Sequence, residues 1–134
     1  MKILIDSDVC LDFLTGREPY FNTAKRLFWK IEDTEVVGLV SPDSFSNIFY
    51  VLRKYYKRTI IISKLKGFRE LISVAPLSEQ HIDQALYSGW TDFEDAMQYF
   101  CAREANCSSI VTRNTDDYSK SELPVFTSFE FLNQ

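Results

Sequence analysis

Three separate groups of acidic and amide side chains could together support metal-dependent chemistry. A carboxylate at the carboxyl end of a central strand lies where open α/β sheets place their ligands. Converging carboxylates repel one another, so a fold tolerates them mainly when a cation neutralises them. Oxygen donors with no matching set of histidines or cysteines favour Mg²⁺ or Mn²⁺ over zinc, and such ions activate water for phosphodiester cleavage. The groups are Asp6; Asp92 and Asp95; and Asn114, Asp116 and Asp117.

Each of these groups also has a purely structural interpretation. Asp6 or Ser7 could simply cap the following helix. Asp92 is favourable near a helix N-terminus through the helix dipole alone, and the pair Asp116-Asp117 fits ordinary turn chemistry. The arrival of all three groups at strand or helix ends is what favours one shared site over three local roles.

The charges of the chain are distributed unevenly. The formal net charge is −4, so no global basic field indicates a nucleic-acid-binding protein. From Ser44 to Arg69, however, there is no acid, and seven of the fifteen basic residues lie there. A solvated helix face explains such a run by itself, but beside an acidic site it favours a phosphodiester substrate. The residues predicted to contact that substrate are Arg53, Lys54, Lys57 and Arg58.

Apolar runs alternate with amphipathic segments along the whole chain. Alternation of strands and helices predicts an α/β protein whose parallel sheet is covered on both faces, a three-layer α/β/α sandwich. With 134 residues, 46% of them apolar, we expect a single domain over residues 1–134. The predicted strands are Ile3–Ile5, Val36–Ser41, Ser73–Leu77 at a sheet edge, Ser108–Thr112 and Leu123–Phe126.

Two local patterns predict how the helices of the second half begin. Thr91 followed by Glu94 fits a capping box, which places the N-cap at Thr91. The single histidine, His81, falls on the polar side of a short helix, where an exposed or capping role is expected.

The three cysteines, Cys10, Cys101 and Cys107, have no metal-ligand spacing and are expected to be small buried side chains in a reducing compartment. No apolar run reaches membrane-spanning length, and the first residues do not resemble a signal peptide. We therefore expect a cytoplasmic protein without a membrane partner.

Several blocks of this pattern resemble the PIN domain family. The resemblance covers essentially the whole chain, in order and at suitable spacing. It implies a small α/β/α nuclease, Mg²⁺-dependent RNA cleavage, and the role of a toxin that a small antitoxin protein inhibits; we also expect a homodimer. The blocks are Asp6–Leu14, Ser44–Lys54, Asp92–Tyr99, Val111–Tyr118, Leu123–Thr127 and Glu130–Leu132.

The chain departs from the family's pattern at several polar positions. Ser7 and Asp8 follow Asp6 where threonine and asparagine are usual. Asn47 and Asn114 stand where the family usually has acids, which leaves Asp117 or Asp116 as the substitute for the second of them. An amide oxygen can still ligate a cation but adds no charge, so metal binding should be weaker.

The leading hypothesis is an endoribonuclease that uses Mg²⁺ or Mn²⁺. Asp6 and Asp95 are predicted to ligate the ion, and Asp92 and Asp117 to ligate it or to lie just behind. Asn47 and Asn114 are predicted to orient water or phosphate.

Two alternatives remain open at this point. One is a catalytically silent PIN-like module that binds RNA or a partner protein, an interpretation that the two amides favour. The other is a haloacid dehalogenase-like phosphatase, because Asp6-x-Asp8, Ser41 and Asp116-Asp117 are similar to that group's motifs. Against the phosphatase, the acidic pair does not directly end a strand, and no lysine clearly lies at a strand–helix junction.

Overall fold

The computed structural model describes all 134 residues, and a five-stranded parallel sheet lies at its centre. The strands are β1 (Lys2–Ile5), β2 (Val37–Val40), β3 (Ser73–Val74), β4 (Ser109–Val111) and β5 (Val125–Phe126). Their order in the sheet is β3-β2-β1-β4-β5, and every neighbouring pair is parallel. All five predicted strands are therefore present, each shorter than predicted except β1.

Seven α-helices and one 3₁₀-helix connect and cover the strands. No helix combines the length and apolar character that a membrane crossing requires. The helices are α1 (Ser7–Thr15), α2 (Phe21–Glu32), α3 (Pro42–Leu52), α4 (Arg58–Leu71), α5 (Glu79–Leu86), α6 (Phe93–Glu104), the 3₁₀-helix (Thr115–Tyr118) and α7 (Ser128–Leu132).

The two faces of the sheet belong to two hydrophobic clusters. Successive strand side chains point to opposite faces, so Ile3 and Ile5 enter the larger cluster with α1, α2, α3, α4 and α7. Leu4 enters the smaller cluster with α6 on the other face, and Ile110 of β4 does the same. The predicted three-layer α/β/α sandwich with a central parallel sheet is thus confirmed.

Helix α6 begins one residue later than predicted. Asp92, not Thr91, is the N-cap, because its Oδ1 accepts a hydrogen bond from the backbone N–H of Asp95 at 2.9 Å. Asp92 has the extended backbone of a cap, whereas Thr91 lies one residue too early to reach that N–H group. The predicted capping box of Thr91 and Glu94 is therefore wrong.

His81 is buried, so of the two predicted roles, exposed or capping, only the capping role is found. The residue is only 1% exposed because α5 packs against α6, and Nε2 lies 2.6 Å from the Glu104 carboxylate. The capping role is confirmed, since Nδ1 accepts a hydrogen bond from the backbone N–H of Ser78 at 3.0 Å. The three cysteines are buried free thiols, as expected.

Candidate active site

The candidate site lies at the carboxyl edge of the sheet, where β1, β2 and β4 end side by side. Asp6 follows β1 and is the N-cap of α1, and its backbone N–H donates to the carbonyl of Val111 in β4. Thr112 directly follows β4, and Ser41 directly follows β2 and caps α3. The three strand ends therefore bring residues that are distant in the sequence to one point, as the parallel topology requires.

Asp6 is the centre of this site and is 8% exposed. Its Oδ1 accepts hydrogen bonds from the backbone N–H of Ser7 at 2.8 Å and from Nε2 of Gln98 at 3.0 Å. Its Oδ2 accepts from the hydroxyls of Thr112 at 2.9 Å and Tyr118 at 3.2 Å. These four donors fix the orientation of the carboxyl group.

Asp95, in the first turn of α6, faces Asp6 across a single hydroxyl group. The Tyr118 hydroxyl oxygen lies 3.2 Å from Oδ1 of Asp95 and 3.2 Å from Oδ2 of Asp6. Burial first, and then the negative charges of Asp6 and Asp92, raise the pKa of Asp95 to about 7, although the hydrogen bond from Tyr118 partly offsets them. A bound cation relieves this repulsion between neighbouring negative charges.

Gln98 connects this carboxylate to the start of α3. The Gln98 side chain is 1% exposed, and its Oε1 accepts from the hydroxyls of Ser44 at 3.1 Å and Ser41 at 3.4 Å. Because an ionised carboxylate only accepts hydrogen bonds, the amide nitrogen must face Asp6 and the amide oxygen must face the two serines. All four polar contacts of the buried amide are then made inside the protein.

Asp8 forms a second acidic position beside Asp6. Its Oδ2 accepts from the backbone N–H of Arg113 at 3.1 Å and from Nδ2 of Asn114 at 3.2 Å, while its Oδ1 is buried without a partner. Burial, and then the charge of Asp6, raise the pKa of Asp8 to about 6, although the Arg113 backbone hydrogen bond partly offsets them. Asn114 thus reaches the rim of the site through Asp8.

The remaining predicted positions lie around this centre. Asn47 of α3 donates from Nδ2 to the hydroxyl of Ser7 at 3.1 Å, one residue from Asp6. Sequence reasoning missed Glu94, whose pKa is raised by burial and then by the charges of Asp43, Asp6 and Asp92. Acidic side chains from α3 and α6 therefore face the same edge of the sheet.

A cavity of about 280 Å³ lies next to Asp92. Asp116 and Asp117 of the 3₁₀-helix line it together with Lys120, whose Nζ donates to the carbonyl of Gly89 at 2.7 Å. Of the two acids, only Asp117 contributes to the raised pKa of Asp95. Asp117 is thus electrostatically part of the site, although its side chain is exposed.

The donor set suits a hydrated divalent ion better than a closed metal cage. No three acidic, histidine or cysteine side chains converge tightly enough to enclose an ion by themselves. Mg²⁺ keeps several water ligands and is usually bound by one or two carboxylates together with substrate phosphates. Two carboxylates that face each other across one hydroxyl group, as those of Asp6 and Asp95 do, fit that mode of binding.

The basic segment lies at a distance from the carboxylates. Arg53 and Lys54 follow the end of α3, whereas the start of α3 at Ser41 contacts the site. An 11-residue helix is about 16 Å long, so a few nucleotides of an extended strand would span that distance. Lys57 and Arg58 begin α4, and all four basic side chains are exposed.

Sequence reasoning missed Gln98 and Tyr118, the two residues that organise the site. Tyr118 directly follows the acidic pair that fits turn chemistry, yet it is only 2% exposed. For Gln98 the available signal was its spacing, because it lies three residues after Asp95 and therefore on a neighbouring position of the same helix face.

Comparison with known proteins agrees with this architecture. The PIN domain family profile matches residues 2–116. Ribonuclease VapC1 from Aquifex aeolicus (strain VF5) is 23% identical over 138 residues, covering 99% of this chain and 94% of that protein.

Two solved structures have the same fold. A toxin–antitoxin complex from Klebsiella pneumoniae contains a chain with a TM-score of 0.71 and 19% identity, covering 96% of this chain and 98% of that one. VapC20 from Mycobacterium tuberculosis, described as a sarcin-ricin loop cleaving toxin, has a TM-score of 0.63 and 15% identity, covering 81% and 86%. The family match spans most of the sequence, so the chain belongs to the PIN domain family.

Proposed function

We propose that this chain is a metal-dependent endoribonuclease that hydrolyses RNA phosphodiester bonds as the toxin of a toxin–antitoxin pair. The single observation that carries the proposal is the buried, fully hydrogen-bonded Asp6 facing Asp95 at the carboxyl edge of the sheet. The likeness to ribonuclease VapC1 supports the choice of RNA and of hydrolysis.

In this proposal each polar residue has a distinct role. Asp6 and Asp95 hold Mg²⁺ or Mn²⁺, with Asp92 and Asp117 adding negative charge beside them. When bound there, the ion supplies a water of lowered pKa and positive charge against the scissile phosphate. Asn114 lies at the rim, where its amide can orient a phosphate or a water molecule. Asn47 acts indirectly, through its hydrogen bond to Ser7, the residue next to Asp6.

The two alternatives are less well supported. A haloacid dehalogenase-like phosphatase needs a lysine near its nucleophilic aspartate, but the side-chain donors to Asp6 are Gln98, Thr112 and Tyr118. A catalytically silent module is favoured by the two amides, but Asp8, Glu94 and Asp117 add acidic charge beside them. The nuclease therefore accounts for more of the site than either alternative does.

Cleavage of RNA by the purified protein tests the proposal. We expect cleavage with Mn²⁺ or Mg²⁺, none with excess chelator, and a loss of about 10²-fold or more in Asp95→Asn because that change removes a metal-binding charge. Equal cleavage with and without chelator would contradict the metal-dependent mechanism. Binding of RNA or a partner protein without any cleavage would favour the silent module.

The basic segment is proposed to bind the RNA backbone. We expect Lys54→Glu/Lys57→Glu to weaken RNA binding about tenfold and to reduce its salt dependence, because phosphate contacts release counterions. The control is Arg26→Glu/Lys30→Glu. It changes the net charge by the same amount, but on a different helix, α2. Binding is measured at two salt concentrations in an Asp6→Ala background so that the RNA stays intact. Equal weakening by both pairs would assign the effect to net charge alone.

We further propose that the partners are a small antitoxin protein and a second copy of this chain. The likeness to a chain of a toxin–antitoxin complex supports the first of these. Residues 1–134 would act as one domain in the cytoplasm. Co-expression with the product of an adjacent small reading frame, followed by cleavage assays on the purified complex, tests the antitoxin.

A further inference from the structure

The Tyr118 hydroxyl occupies the contact between the two central carboxylates. Its oxygen lies 3.2 Å from Oδ2 of Asp6, 3.2 Å from Oδ1 of Asp95 and 3.2 Å from Nε2 of Gln98. The ring is 2% exposed and is held edge-on against Trp90, with 5.8 Å between the ring centroids. Ring packing and hydrogen bonds together place the hydroxyl between the two carboxylates.

The single hydroxyl proton of Tyr118 cannot serve both carboxylates that lie within its reach. A tyrosine hydroxyl has one proton, so it can satisfy Asp6 or Asp95 fully, but not both at once. Gln98 donates to the same hydroxyl oxygen, so that oxygen is already an acceptor as well. Asp6 meanwhile receives four hydrogen bonds, which is the full capacity of its two oxygens.

Of the four donors to Asp6, Tyr118 is the one that can be displaced most easily. The Ser7 N–H is fixed by helix α1, and the donors from Gln98 and Thr112 are closer, at 3.0 and 2.9 Å, than the Tyr118 hydroxyl at 3.2 Å. Only Tyr118 also contacts the second carboxylate, Asp95, from the side that the two acids share. A cation that binds both acids must therefore compete with this hydroxyl.

We propose that the Tyr118 hydroxyl occupies the contact between Asp6 and Asp95 and competes with the divalent ion for their facing oxygens. The inference rests on the proposed function, because it concerns the affinity of the metal site of that nuclease. It makes a counterintuitive prediction: removal of a hydrogen bond to the central carboxylate strengthens metal binding. A residue that only supports the ligands would weaken metal binding when removed.

The test is calorimetric titration of the purified full chain with Mg²⁺ alone. We expect Tyr118→Phe, which keeps the ring against Trp90, to lower the Kd for Mg²⁺ about fivefold or more, since one hydrogen bond to a carboxylate no longer has to be broken. The matched control is Tyr99→Phe. Tyr99 is also buried and stacks on the same Trp90, but its hydroxyl contacts Arg103 and Glu122 instead of the site.

The outcomes separate this inference from the proposed function. An unchanged or higher Kd in Tyr118→Phe, with measurable binding to the wild type, overturns the competition and leaves the metal-dependent nuclease intact. No binding heat at millimolar Mg²⁺ in either protein overturns the metal site itself, and the inference with it. A lower Kd in both Tyr118→Phe and Tyr99→Phe also overturns the inference, because the effect then does not depend on contact with Asp6.

A second measurement leaves residue 118 unchanged. In a Trp29→Phe background the emission of Trp90 is observed alone, because the chain has two tryptophans. Displacement of the neighbouring Tyr118 ring is expected to change this emission with the same Mg²⁺ midpoint as calorimetry. Constant emission over the range in which calorimetry detects binding contradicts the displacement.

Discussion

Replacement of Asp6 with alanine is expected to reduce RNA cleavage to about one-thousandth of the wild-type rate or less. The change removes the carboxylate that faces Asp95 and would hold the ion, and metal stabilisation of several kcal/mol corresponds to a factor of this size. The measurement is the initial rate of RNA cleavage at saturating Mn²⁺. An Asp6→Ala protein that cleaves at the wild-type rate would remove the mechanism.

Two controls make this result interpretable. Alanine leaves the donors of Gln98, Thr112 and Tyr118 without their acceptor, so the thermal unfolding of the variant must be measured beside its activity. The matched control is Asp83→Ala, an exposed aspartate on α5, which should cleave normally. A loss of activity in a protein that remains folded at the assay temperature supports a role of Asp6 in the chemistry.

Replacement of Phe28 with alanine is expected to lower the free energy of unfolding by about 3–5 kcal/mol. Phe28 is 1% exposed in the larger hydrophobic cluster, where it stacks on Phe13 with 4.5 Å between the ring centroids and meets Phe68 edge-on at 5.5 Å. Its removal loses buried apolar area and leaves a cavity between α1, α2 and α4. Urea unfolding followed by circular dichroism measures the change.

The comparison for this variant is Phe129→Ala. Phe129 lies on the short helix α7 and is 62% exposed, so its removal should change stability by less than about 0.5 kcal/mol. If both substitutions lowered stability equally, the core assignment of Phe28 would be wrong.

The sequence allowed the sheet and its edge to be predicted because those signals are local. The apolar run before Asp6 and the run before Thr112 each predict a buried strand, and parallel strands must end at a common edge. That argument alone brings Asp6 near the segment that follows β4, as the structure does. The position of Asp95 required only that its helix begin at the same edge.

Gln98 and Tyr118 could not be predicted as site residues in this way, because their roles depend on packing between distant elements. Gln98 is a site residue only because Ser41 and Ser44 lie opposite its amide oxygen, more than fifty residues away in the sequence. Tyr118 is buried because the 3₁₀-helix packs against α6 and Trp90, and no periodic pattern in a four-residue turn encodes that contact. The burial of His81 could not be predicted for the same reason, although its capping role was.

Thr112 and Tyr118 supply two of the four hydrogen bonds to Asp6, and this has a consequence for biosynthesis. These hydrogen bonds join Asp6 to residues more than a hundred positions later, so a nascent polypeptide that has not reached Tyr118 lacks part of the donor set. Under the proposed function, the site and the activity that depends on it can therefore form only after Tyr118 has been synthesised.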